Sequence, residues 1–156
     1  GIIFRDITPL LQNHNAFKSS VDALKQRYEE SGVTQIAAIE ARGFLFGSAL
    51  AYALGCGITL LRKPGKLPGK VVSQSYALEY GDDELQMHQN ALTSNDKVLI
   101  IDDLLATGGT VLAADKLIRS TGATVAEAAF VVSLPELGGE DKLRRAGVAC
   151  YTLCQF

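Results

Sequence analysis

The stretch VLIIDDLLATGGT, residues 98–110, sets two neighbouring carboxylates after four apolar residues and follows them with small hydroxyl residues and glycines. Glycines let backbone amides come close to a ligand, and a helix starting there would aim its free N–H groups and partial positive charge outward. With the hydroxyls of Thr107 and Thr110, the run Ala106, Thr107, Gly108, Gly109, Thr110 suits a phosphate dianion. No Lys follows the glycines, so this is not a Walker A loop, and the dinucleotide pattern G-x-G-x-x-G is absent. A plain strand–turn–helix connection would use similar residues. The acids shift the balance. Ionised Asp accepts hydrogen bonds and donates none, so beside an anion it must serve another part of the ligand, unless it is only a helix cap. Vicinal ribose hydroxyls are matching donors, and Mg²⁺ is the other natural partner. A ribose 5-phosphate would use every residue, with its phosphate on 106–110 and its hydroxyls on Asp102 and Asp103.

Two further clusters could do chemistry. Arg42 stands just before Gly43, where a helix is predicted to start. A cation there is electrostatically poor unless an anion sits beside it. Residues 62–70, RKPGKLPGK, hold four basic side chains with no acid among them. A solvated basic loop is one reading, and anion capture is the other. The stretch is too short, and too poor in aromatics, to be a nucleic-acid surface.

These groups need a scaffold, and 156 residues suffice for one domain with a substantial core. Hydrophobic content of 47% and charged content of 21% are those of an ordinary soluble chain, and a net charge of −2 gives no signal for nucleic acid or an acidic membrane. No apolar run is long enough to span a bilayer. Arg5 and Asp6 interrupt the apolar start, so no secretory signal is predicted and a cytoplasmic location is expected. Cys56, Cys150 and Cys154 match no zinc or redox spacing, which predicts buried, reduced thiols. The single Met is Met87, so a further N-terminal stretch is expected before Gly1.

Apolar spacing predicts a helix over 16–30, with Phe17, Val21, Leu24 and Tyr28 on one face and Gly32 closing it. Further helices are predicted over 43–54, 110–120 and 141–145. Strands are predicted at 36–39, 58–61, 98–101, 125–132 and 149–153. The alternation implies an α/β fold, a parallel sheet flanked by helices. Such sheets bind ligands beyond the carboxyl ends of their strands, which is where the unusual residues fall. Residues 63–88 break the pattern and read as a projecting β-hairpin lid turning near Gly81-Asp82.

VLIIDDLLATGGT resembles the phosphoribosyl diphosphate motif of the type I phosphoribosyltransferases. FRDITP at 4–9, EARGFLFG at 40–47, RKPGKLPG at 62–69 and YALEYG at 76–81 are similar, in pattern and order, to the adenine phosphoribosyltransferases of that family. The resemblance covers essentially the whole chain as a single domain, 1–156, with the lid at about 63–90. It implies transfer of the 5-phosphoribosyl group from 5-phospho-α-D-ribose 1-diphosphate to adenine, giving AMP and diphosphate, with Mg²⁺ held mainly by the substrate and reached by Asp102 or Asp103 through water. It implies that Ala41, Arg42 and Gly43 form a diphosphate loop with a strained peptide before the Arg, helped by Arg62, Lys63 and Lys66. Glu79 would partner the purine N7 and Tyr80 would close over the site. Ile3 and Leu104 would be the walls of the adenine slot, and the backbone around Arg5 would read the exocyclic amine. Asp82, Asp83 and Glu84 are left as turn and solubility residues. A homodimer is the family expectation. Enzymes for hypoxanthine or guanine usually carry Asp where Ala106 stands. A sensor built on the same fold would need a DNA-binding module that the sequence does not display.

Overall fold

In the computed structural model, residues 6–78 and 80–156 are described. Their elements run α1 (Thr8–Gln12), α2 (His14–Tyr28), β1 (Gln35–Ile39), α3 (Gly43–Leu54), β2 (Gly57–Leu61), β3 (Val71–Leu78) and β4 (Gly81–His88). The second half follows with β5 (Lys97–Leu105), α4 (Gly109–Arg119), β6 (Thr124–Ser133), a 3₁₀ turn at Pro135–Leu137, α5 (Gly139–Arg145) and β7 (Cys150–Gln155).

The short apolar runs form a parallel sheet in the order β2-β1-β5-β6-β7. Alternate residues of the inner strands serve opposite faces. Val98, Ile100, Ala128 and Phe130 join a core with Val111, Leu117 and Ile118 of α4 and with Leu85 and Met87 of β4. Leu99, Ile101, Ala129 and Val131 join a second core with Leu24 and Tyr28 of α2 and Phe46 and Leu50 of α3. Burial on both faces is why these strands are continuously apolar, and each buried Leu or Phe contributes about 1.5–3 kcal/mol. Asn13 caps α2 by accepting from the Ala16 N–H at 3.0 Å, and Phe17 meets Phe46 with ring centroids 5.5 Å apart. From β1 the chain steps outward to β2, then returns to β5 on the other side of β1. The strand order therefore switches between the carboxyl ends of β1 and β5, where this class of sheet opens a crevice.

The structure departs from the sequence expectation in several places, the first being α1, which the apolar spacing does not predict. Strand β5 does not stop at Ile101 but continues through Asp102 and Asp103 to Leu105, paired with β6. The acids belong to the strand because sheet pairing satisfies their backbone whatever the side chain. Gly81 and Asp82 are not the turn of the hairpin; they are already in β4, opposite Leu78 and Ala77. Helix α2 ends at Tyr28, and Gly32, at φ +80°, turns the chain afterwards. The cysteines are unpaired, but Cys56 and Cys150 are only half-buried and Cys154 is exposed.

Candidate active site

At the switch point the first turn of α3 lies directly on the end of β5. A Cβ on Gly43 would fall 2.9 Å from the Ile101 carbonyl and 3.1 Å from Asp102 Oδ1, so this approach requires glycine. The contact brings Arg42, which precedes α3, onto the buried Asp103: Arg42 Nε donates to Asp103 Oδ2 at 2.5 Å. The Asp103 N–H donates to Asp102 Oδ1 at 2.8 Å. Asp102 lines the cleft, yet its carboxyl is otherwise enclosed. Burial first, and the Asp103 charge second, push Asp102 well above the ordinary carboxylate value of 3.8. The peptide between Glu40 and Ala41, just before Arg42, is cis.

Beyond β5 a cleft of about 90 Å³ is lined by Asp102, Leu104 and residues 105–111. Ala106, Thr107, Gly108, Gly109 and Thr110 thus share one concavity with Asp102, as their spacing suggested. Gly108 adopts φ +89° immediately before α4, and the first-turn residues Gly109, Thr110 and Val111, whose N–H groups have no partner within the helix, line the cleft. The loop is backed by a residue that sequence reasoning missed. A Cβ on Gly139 would lie 2.4 Å from the Ala106 carbonyl, so the start of α5 supports the loop by backbone contact. The signal was the Gly138-Gly139 pair, which reads as a simple turn. Leu104 is half-buried, packing on the α2/α3 core while lining the cleft.

The basic segment is organised by another missed residue, Glu40. Its Oε1 accepts from Arg62 Nε at 3.0 Å and from the Lys63 backbone N–H at 2.9 Å. Arg62 also exchanges two backbone hydrogen bonds with Gln86 of β4, at 2.9 and 2.7 Å. Lys63 turns to the hairpin: its Nζ donates to Tyr76 Oη at 2.7 Å and to the Asp83 carboxylate. Burial opposes the charge on Lys63, but Asp83 and Tyr76 outweigh it and the ammonium titrates above its ordinary value. Asp83 is therefore not a solubility residue; it is half-buried and paired. Lys66 is exposed and makes no hydrogen bond or ion pair among the described residues. Tyr80 is exposed at the hairpin turn. Ile3, Arg5 and Glu79 lie outside the described residues.

Set beside known proteins, residues 6–148 match the family model for the phosphoribosyl transferase domain. A relative from Idiomarina loihiensis named adenine phosphoribosyltransferase is 78% identical over all of this chain and 88% of its own length. The crystal structure of adenine phosphoribosyltransferase from Thermoanaerobacter pseudethanolicus superposes with a TM-score of 0.95 at 47% identity, covering 100% of this chain and 90% of that one. The Saccharomyces cerevisiae enzyme, crystallised with adenine and D-2,5-dideoxy-2,5-imino-altritol 1,6-bisphosphate, gives 0.91 at 39% identity, covering 98% and 88%.

Proposed function

The chain belongs to the phosphoribosyl transferase family, among the adenine phosphoribosyltransferases, and from that premise we propose that its switch-point cleft joins adenine to phosphoribosyl diphosphate. The carrying observation is the single concavity shared by Asp102 and the amides that open α4. A dianion on those amides and a diol on the acids are the two ends of one ribose 5-phosphate.

In this reading the 5-phosphate binds residues 106–110 and the ribose hydroxyls bind Asp102 and Asp103. Arg42, with Ala41 and Gly43, meets the diphosphate together with Arg62, Lys63 and Lys66. The bond from C1 to the diphosphate oxygen breaks, its electrons leave with the diphosphate, the adenine N9 bonds to C1, and the base loses a proton. Cations aimed at the leaving group lower that barrier because charge gathers there in the transition state. Leu104 and Ile3 wall the base, the backbone at Arg5 reads its amine, Glu79 partners N7, and Tyr80 with the hairpin keeps water from the donor.

Mg²⁺ would neutralise diphosphate charge. Among the described residues no group of three or more His, Cys, Asp or Glu could hold a metal. Two carboxylates, one already paired with Arg42, fit a cation that arrives on the donor and meets Asp102 or Asp103 through water. A homodimer is supported by the exposed apolar side chains of Leu45 and Tyr52 on α3 and Leu60 on the edge strand β2. Among the described residues no helix is long and apolar enough to cross a membrane, and a cytoplasmic enzyme is the matching proposal.

The test offers the donor and Mg²⁺ with adenine, hypoxanthine, guanine or xanthine separately. AMP from adenine is the expected product, and EDTA should stop its formation until Mg²⁺ is restored. Product from another base alone would reassign the substrate. Tight donor binding without turnover would indicate a sensor.

A further inference from the structure

We propose that Asp83 is a positioning residue for the transfer, because its carboxylate and the donor's diphosphate compete for one group, the Lys63 ammonium. This rests on the reading of Lys63 as a diphosphate ligand and adds a cost to its recruitment.

The backbone of Lys63 is fixed while its side chain is free to change partners. The N–H of Lys63 is held by Glu40 at 2.9 Å, and Arg62 before it is stitched to Gln86 by two backbone hydrogen bonds and to Glu40 through Nε. The side chain leaves this anchored base and reaches the hairpin, where Tyr76 Oη and the Asp83 carboxylate accept from Nζ. Tyr76 and Asp83 are directly opposite each other across β3 and β4, so one rung of the ladder supplies both acceptors. Among the described residues Lys63–Asp83 is the one ion pair between the hairpin and the rest of the chain. Its side chains are 37% and 29% exposed, and a pair at the solvent boundary is held weakly. A diphosphate brings several negative charges and multiple acceptor oxygens, so it displaces a single carboxylate.

Exchange of the partner changes more than one contact. The base of the hairpin is immobilised by the buried Leu85 and Met87, whereas Leu78 and Tyr80 near its tip are exposed. Tyr76 also borders the phosphate loop: a Cβ at Gly109 would be 4.0 Å from its ring and from the Ala77 carbonyl. The rung that holds Lys63 therefore lies over the start of α4. Drawing Lys63 to the diphosphate removes the ionic hold on that rung and frees the distal hairpin, which bears Tyr80.

Calorimetric titration with phosphoribosyl diphosphate and Mg²⁺ reads the competition. Asp83→Asn should tighten donor binding by about two- to fivefold, the opposite of what loss of a supporting contact would do. Asp83→Glu should restore the wild-type affinity, and Asp82→Asn should leave it unchanged. In a Lys63→Met background, which should itself bind donor more weakly, Asp83→Asn should have no further effect. Amide hydrogen exchange over residues 73–84 should quicken when donor alone is added to the wild type, and in Asp83→Asn should be fast from the outset and unresponsive. Wild-type AMP formation with unchanged or weakened donor binding in Asp83→Asn overturns this proposal alone. A wild type that binds no donor overturns it together with the reading of the site.

Discussion

The two ends of the sheet each carry an arginine–carboxylate pair, and they treat it differently. At the amino-terminal end, Glu127 accepts from Arg27 Nε at 2.9 Å, from Arg27 Nη2 at 3.2 Å and from Tyr28 Oη at 2.5 Å. The same guanidinium lies 3.9 Å from the centre of the Tyr151 ring. Glu127 and Arg27 thus each have several partners. At the carboxyl end Arg42 reaches Asp103 through Nε alone, Asp102 lines the cleft beside that second acid, and glycines replace side chains around them. A network whose groups hold one another supports the fold, whereas one of the same residue types with fewer partners and a face on the cleft is open to a ligand.

The largest expected separation between the two ends is in activity. Arg42→Gln keeps a donor for Asp103 but removes the positive charge, and kcat/KM for AMP formation should fall by about 10²–10³-fold, the scale of losing one transition-state contact. Arg27→Gln should leave kcat/KM unchanged. Equal losses in both variants would erase the distinction between the ends.

How much of this could be read from the sequence depended on whether a residue's partner is near it in the chain. The parallel sheet, α3 over 43–54 and the loop at 106–110 follow from local apolar runs and glycines, and so does the grouping of Asp102 with that loop. Glu40 and Asp83 were passed over because their partners, Arg62 and Lys63, are about twenty residues away, and only the strand order brings them together. Gly139 was invisible for the same reason, since its need for glycine is set by the Ala106 carbonyl, which a turn signal does not specify. The acids at 102 and 103 were read as lying beyond the strand because apolar character stops at Ile101, although backbone pairing with β6 does not.

A smaller effect, on stability, should run the other way. Glu127→Ala leaves Tyr28 Oη, on a residue 5% exposed, without its acceptor and Arg27 without its carboxylate. Urea denaturation should show a loss of about 1–3 kcal/mol, the usual consequence of stranding a buried polar group. AMP formation below the transition should remain at the wild-type level. A fall in activity without loss of stability would mean that the amino-terminal network also serves the site.

The smallest effect sharpens the comparison most, because it should be a gain. The fold disfavours the ionised form of Asp102, mainly through burial and then through the Asp103 charge, so its folded-state value lies above the ordinary 3.8. A group raised in this way contributes stability that is complete below about 3.8 and is lost as pH rises through the folded-state value. At neutral pH that contribution is absent, and Asp102→Asn, neutral at every pH, should stabilise the ligand-free protein by about 0.5–2 kcal/mol. The gap should narrow as pH falls through that raised folded-state value, where the folded wild type takes up its proton, and should be closed by about 3.8. Saturating donor should reverse the order, since ligand stabilises only the form that binds it, and Asp102→Asn gives up a ribose acceptor. Denaturation of both proteins at two pH values, with and without donor, checks all three signs. A variant less stable than wild type at neutral pH without donor would show that the Asp102 carboxylate supports the fold, as Glu127 does at the other end.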